Sequence, residues 1–229
     1  MYRMKQQLFS IAQACLLSFL LLSCGSEDAP EVTPPTEEDE NTDSSENEGE
    51  DPSRPGQSGR TLIVYFSRAG ENYAVGQVAV GNTAVLAGYI KDYTGGDVFE
   101  IVPEVAYPTN YDEMRQVSQQ ETASNARPAI KNRLENLTDY TTVFVGAPIW
   151  YGAPPMIMRT FYEAYDLSGK TIVPFGTHEG SGVSSCTTLL KSYFPDATYL
   201  ETFGMRGQDV RSGRETVNAW LEKLNITKG

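Results

Sequence analysis

From residue 61 onward, short runs of consecutive β-branched and aromatic residues alternate with segments whose apolar residues recur every three to four positions. Thr61-Leu-Ile-Val-Tyr-Phe66 has no polar alternation, the pattern of a parallel strand covered on both faces. Thr83 to Tyr93 sets Val85, Leu86, Tyr89, Ile90 and Tyr93 at helical spacing, with Asn82 as the expected N-cap and Gly95-Gly96 as the stop. Asp97 to Val102, Thr142 to Ala147, Thr171 to Gly176 and Thr198 to Phe203 read as four more strands. Asp112 to Leu137 with a break at Pro128, Ala153 to Tyr165, Val183 to Tyr193 and Gly213 to Leu224 read as helices. This alternation predicts an α/β domain: a doubly wound, five-stranded parallel sheet with right-handed crossovers. Ligands bind such sheets beyond the carboxyl ends of the strands, so the loops there are where chemistry is sought.

The first 60 residues follow another pattern. Arg3 and Lys5 precede an apolar run from Ile11 to Leu22, shorter than the roughly 20 residues a helix needs to cross a bilayer. Residues 1–23 therefore read as a signal peptide. Leu21-Leu-Ser-Cys24-Gly25 resembles the lipobox of bacterial lipoproteins, which implies a lipid on Cys24 and a place in the cell envelope, outside the cytoplasm and anchored to a membrane. The alternative is an ordinary secretory peptide with an incidental cysteine. Of the formal charge of −12, Gly25 to Arg60 carries 12 acids against 2 bases, whereas Thr61 to Gly229 carries 18 acids against 14 bases. With Val32 its only large aliphatic residue, the stretch from Cys24 to residue 60 reads as a disordered, self-repelling tether.

Net acidity argues against a nucleic-acid partner. Cys15 leaves with the signal and Cys24 takes the lipid, so Cys186 is alone in the domain and no disulfide is expected there. With His178 the single histidine, zinc hydrolase and cysteine–histidine protease chemistries also fall. Cys186 and Trp220 sit on helix faces and read as core residues.

Three loops at the carboxyl ends carry unusual content. Ser67-Arg68-Ala69-Gly70 is followed, after residues 71–80, by Gly81-Asn82-Thr83 at the start of a helix. Hydroxyls, an amide and bare N–H groups at a helix N-terminus suit a phosphate, while the missing P-loop lysine speaks against an ATPase. Pro148-Ile149-Trp150-Tyr151-Gly152 puts two adjacent rings in a rigid turn, one to wall a planar ligand and the other to pack. Thr177-His178-Glu179-Gly180-Ser181-Gly182 offers N–H groups and polar side chains to the edge of a heterocycle.

Together these loops resemble the flavodoxin family, and within it a branch with the motifs S-R-x-G-E-N-Y, G-N-T, P-I-W-[WY]-G and G-K-T-I-x-P-F-x-T-H-E-G-S-G. Here they stand as Ser67 to Tyr73, Gly81 to Thr83, Pro148 to Gly152 and Gly169 to Gly182, and the resemblance spans residues 61–229. It implies the strand order 2-1-3-4-5 and noncovalent FMN. It also implies Ser67, Arg68, Ala69, Asn82 and Thr83 at the phosphate, with Gly70 completing that loop. Trp150 and Tyr151 would flank the isoalloxazine, within the loop set by Pro148, Ile149 and Gly152, and Thr177 to Gly182 would meet the ring edge. Two features depart from small soluble flavodoxins: the phosphate loop is interrupted by Glu71 to Val80, and the third loop carries His178 and Glu179 where a tyrosine would cover the second flavin face. His178 either bonds the ring or gives it a proton, or fixes the loop. Three functions stay open: an electron carrier serving a redox partner protein or quinone, an FMN-dependent reductase of a quinone or other small molecule, and a flavin-free binding protein.

Overall fold

The computed structural model describes residues 59–226 and residue 229; the signal segment, Cys24 and the tether up to residue 58 lie outside them. Strands β1 (Arg60–Tyr65), β4 (Asp97–Glu100), β5 (Tyr140–Pro148) and β6 (Thr171–His178) form a parallel sheet in the order β4-β1-β5-β6. The outer position beside β6 is shared by two short strands, β7 (Thr198–Tyr199) and β8 (Phe203–Arg206). The sheet order is therefore 2-1-3-4-5, as the motifs imply, with the last strand interrupted at residues 200–202. The remaining strands, β2 (Gly70–Asn72) and β3 (Gly76–Val78), make a separate antiparallel hairpin.

Alternate residues of the central strands feed two cores. Leu62, Val64 and Phe66 face one side with Val143, Val145 and Ile172. There they meet Ile157, Met158 and Phe161 of α3 (Met156–Ala164) and Leu190 of α4 (Ser184–Tyr193). Ile63, Tyr65, Phe144, Val173 and Phe175 face the other side, against Leu86 and Ile90 of α1 (Asn82–Thr94) and Val217, Trp220 and Leu221 of α5 (Arg214–Lys223). Because β1 and β5 bury side chains on both faces, their sequences carry no polar alternation. Each fully buried aliphatic or aromatic side chain contributes about 1.5–3 kcal/mol, and that burial fixes the strand register. Trp220 stacks on Phe203 with ring centroids 4.8 Å apart, and Cys186 is buried with its thiol pKa pushed up to about 12 by desolvation.

Several expected boundaries shift. The helix anticipated from Asp112 to Leu137 is α2 (Tyr111–Ala123), capped at Ser124 and followed by Asn125 at φ 50°. The helical spacing of Ile130, Leu134 and Leu137 comes instead from an irregular segment that lays all three on the first core. That segment is held by the Asn132 carboxamide, which accepts from Val102 N–H and donates to the Glu100 carbonyl. Ala153 to Pro155 precede α3 as a turn and its exit. Gly81, and not Asn82, is the N-cap of α1. β5 and β6 each run further than expected, to Pro148 and His178, which carries their ends into the loops that form the cleft.

Candidate functional site

At the end of β1 the Ser67 hydroxyl accepts the Ala84 N–H at 3.0 Å, in the first turn of α1. A Cβ on Gly81 would lie 2.3 Å from the Ser67 hydroxyl and 2.5 Å from the Arg68 carbonyl. The two halves of this loop are thus in contact despite the ten residues between them, and only glycine permits that approach. No N-cap side chain closes α1 and no acid lies in its first turn. The first N–H groups of a helix have no intrahelical acceptor and carry the positive end of its dipole, so this terminus favours an anion.

The intervening residues fold into the β2–β3 hairpin and fasten it to α2. Arg68 is buried and donates to the carbonyls of Ala69, Glu71, Pro108 and Thr109. The Glu71 carboxylate accepts the Tyr111 N–H at 3.1 Å, a favourable place for a negative charge at the start of α2. The hairpin thereby brings Tyr73 over Tyr111, ring centroids 6.0 Å apart and nearly parallel.

In the second loop Trp150 and Ala153 exchange backbone hydrogen bonds around Tyr151 (φ 51°) and Gly152 (φ 81°), a tight turn with both central residues left-handed. Such a backbone is unfavourable for tyrosine by about 1–2 kcal/mol, and it stands the ring out of the chain, 54% exposed. Its hydroxyl accepts from Arg115 Nε at 3.0 Å. Trp150 does the opposite: its ring lies edge-on to Phe66 and Tyr107, half-buried, with its remaining surface on the cleft.

In the third loop Thr177 is buried and its hydroxyl lies 2.8 Å from that of Thr83. His178 Nδ1 accepts the Gly180 N–H at 2.9 Å. A nitrogen that accepts carries no proton, so the imidazole is neutral with its proton on Nε2. Burial and the nearby Arg206 both hold its pKa below 6.5. Burial raises the Glu179 carboxyl above the ordinary glutamate value. The Ser181 hydroxyl bonds the Gly182 carbonyl within the loop.

These elements enclose a cleft of about 200 Å³ beyond the carboxyl ends of β1, β5 and β6. Of the residues expected from sequence, Asn82, Pro148, Ile149, Trp150, Tyr151, Thr177, His178 and Glu179 line it. Ser67, Arg68, Ala69, Gly70, Thr83, Gly152, Gly180, Ser181 and Gly182 belong to the same three loops but do not line it, and of these Ala69, Gly152, Gly180 and Ser181 are exposed. The sequence reading missed Asn72, Tyr73, Tyr111, Met114, Arg115 and Gly207, which also line it. Asn72 and Tyr73 lie within the S-R-x-G-E-N-Y stretch, but nothing in the spacing pairs Tyr73 with Tyr111. Arg206 and Arg211 are further additions: a Cβ on Gly180 would lie 3.7 Å from Arg206, and Arg211 bonds Asn82.

Residues 60–224 match the family model for flavodoxin. A protein classed as a flavoprotein from Bacteroides eggerthii DSM 20697 is 32% identical, with a TM-score of 0.59 over 74% of this chain and 100% of its own. A second from Bacteroides uniformis ATCC 8492 is 29% identical, with a TM-score of 0.59 over 72% of this chain and 99% of its own. A flavoprotein of Lactobacillus acidophilus NCFM, solved in complex with FMN, shares the fold at 18% identity and a TM-score of 0.50, over 70% of this chain and 99% of its own. A comparison with functionally curated proteins finds no match. The sheet order and the cleft at the strand ends define a flavodoxin-like α/β protein. The chain belongs to the flavodoxin family.

Proposed function

We propose that the protein is an FMN-binding electron carrier, held at a membrane of the bacterial envelope by a lipid on Cys24. One observation carries the flavin reading: the acid-free N-terminus of α1, whose Gly81 N-cap supplies no side chain, opens beside a cleft walled by aromatic rings. FMN asks for hydrogen-bond donors around a phosphate, a flat apolar wall and polar partners at its ring edge, and the residues fit each demand. At the phosphate end stand the α1 N–H groups and the Asn82 amide. Arg68 belongs to the same loop, with a buried Nε that has no hydrogen-bond partner among the described residues.

Bound FMN supplies reversible one- and two-electron transfer. The protein's part is to hold and shield it. Trp150 and Tyr151 offer ring faces to the isoalloxazine, and Tyr73 and Tyr111 extend that wall toward the hairpin. His178 offers an Nε2–H donor at the ring edge, and Thr177 braces its loop against α1. The lipid anchor and acidic tether would raise the domain's local concentration for other membrane-attached partners, a quinol or a redox protein.

A second reading, an FMN-dependent reductase of a quinone or other small molecule, is favoured by one observation. Arg115 lines the cleft and Arg206 lies beside the third loop, so cationic donors for an anionic or carbonyl-bearing substrate are present. Location supports the carrier, because nicotinamide nucleotides are not maintained outside the cytoplasm. Stopped-flow reduction of the FMN-loaded protein by NADH and NADPH separates the two. The carrier reading expects slow, unsaturable reduction; rapid saturable reduction by either nucleotide contradicts it.

A further inference from the structure

Arg211 lies in the two-turn 3₁₀ helix Gly207–Ser212, 129 residues from the start of α1. Its Nη1 donates to Asn82 Oδ1 at 2.8 Å and its Nη2 to the Val80 carbonyl at 3.0 Å. The Tyr89 hydroxyl bonds the Arg211 carbonyl at 3.1 Å and holds its backbone against α1. A guanidinium has donors and no acceptor, so the atom of the Asn82 carboxamide that faces it must be the oxygen. The Asn82 nitrogen is therefore turned the other way, toward Gly207, where a Cβ would lie 2.3 Å from Nδ2. Asn82 is only 8% exposed and lines the cleft, and its Nδ2 has no acceptor among the described residues. A nearly buried amide thus presents unused N–H donors beside the N-terminus of α1, and the arginine determines which end of the amide does so.

We propose that Arg211 is a positioning residue of the phosphate subsite: it orients the Asn82 carboxamide so that N–H, not C=O, meets the terminal phosphate monoester of a flavin mononucleotide. The proposal rests on the flavin reading above. Without Arg211 the amide is free to flip and put its oxygen toward the anion, and one positive charge near the site is lost. The carboxylate of Glu179 is the acidic group beside this amide: its Oε1 and Asn82 Nδ2 would lie 2.4 Å and 2.3 Å from the same Cβ on Gly207. Arg211 and the α1 terminus are what offset it.

The test titrates the full chain, freed of flavin, with FMN and with riboflavin, which lacks the phosphate, and follows flavin fluorescence. If the unsubstituted chain binds neither flavin, the flavin reading fails and this proposal falls with it. Given binding, Arg211→Met is expected to weaken FMN tenfold or more and to leave riboflavin within twofold, with Arg211→Lys recovering part of the loss. Asn82→Asp, nearly isosteric, keeps an oxygen for Arg211 and puts a second oxygen in place of the N–H donors. It is expected to weaken FMN more than tenfold with riboflavin again unchanged, and it serves if Arg211→Met does not fold. Unchanged FMN affinity in these variants, or equal losses for both flavins, overturns the proposal while leaving the flavin reading standing.

Discussion

The hydroxyls of Thr83 and Thr177 lie 2.8 Å apart across 94 residues of sequence, both buried. One sits in the first turn of α1 and the other near the end of β6, so this contact joins the loop that offers phosphate donors to the loop that offers ring-edge donors. The cleft has one framework, not two independent loops.

Replacing only one partner of this pair strands the other. Thr83→Val is expected to destabilise the domain by about 1–3 kcal/mol, because the Thr177 hydroxyl then stays buried without its partner. The double variant Thr83→Val, Thr177→Val should recover part of that loss. Urea unfolding of the four proteins checks it; strict additivity of the two single effects would show that the hydroxyls do not interact.

Gly81 makes a sharper case, because the atoms a methyl would meet include backbone. Gly81→Ala should force Ser67 and Arg68 away from α1 and cost about 1–3 kcal/mol. Thermal unfolding measures it. A stability equal to that of the parent would mean that the two loop halves are not closely packed.

His178 is the single histidine, so its imidazole can be followed by NMR without assignment ambiguity. The signals should report the Nε2–H tautomer and a midpoint below 6.5, since burial and Arg206 both disfavour the charged ring. Because the unfolded chain takes up this proton first, the linked stability is present above pH 6.5 and is lost as pH falls through about 6.5 toward the folded midpoint. A midpoint above 6.5 or an Nδ1–H tautomer contradicts the geometry.

Much of the fold was legible because β1, β5 and β6 bury both faces, which leaves unbroken apolar runs, and because α1 keeps its apolar residues on one side. The segment from Ser124 to Asn136 was not legible: Ile130 and Leu134 have helical spacing, yet an Asn132 side chain holds the backbone in an irregular path. Residues 71–80 look like an interruption in sequence and are in fact a wall of the site, because Arg68 and Glu71 fasten them to α2. Arg115, Arg206 and Arg211 were invisible for a simpler reason. Each sits among other polar residues far from the three loops in sequence, and only the tertiary fold brings Arg115 to the cleft, Arg206 beside Gly180 and Arg211 onto Asn82.

The two tryptophans separate the cleft from the core. Trp150 borders the cleft, whereas Trp220 lies on the opposite core with its indole N–H bonded to the Glu201 carbonyl. FMN should quench tryptophan emission, and Trp150→Phe should remove most of that quench while Trp220→Phe should not. The reverse pattern would put the flavin elsewhere.

The proposed lipid anchor on Cys24 is tested apart from the fold. Cys24→Ser is expected to release the protein from membranes or to leave an uncleaved precursor, as membrane fractionation and lipid labelling would report. Unchanged lipid labelling would rule out Cys24 as the acceptor.

The central claim is that a phosphate docks on the start of α1, and the affinity ratio of FMN to riboflavin for the flavin-free chain tests it most directly. Two hydrogen bonds to a charged group, each about 1.5–3 kcal/mol, correspond to a preference of at least about a hundredfold for FMN. The account predicts tight one-to-one binding of FMN with that preference. Equal affinity for the two flavins, or binding of neither, would contradict it.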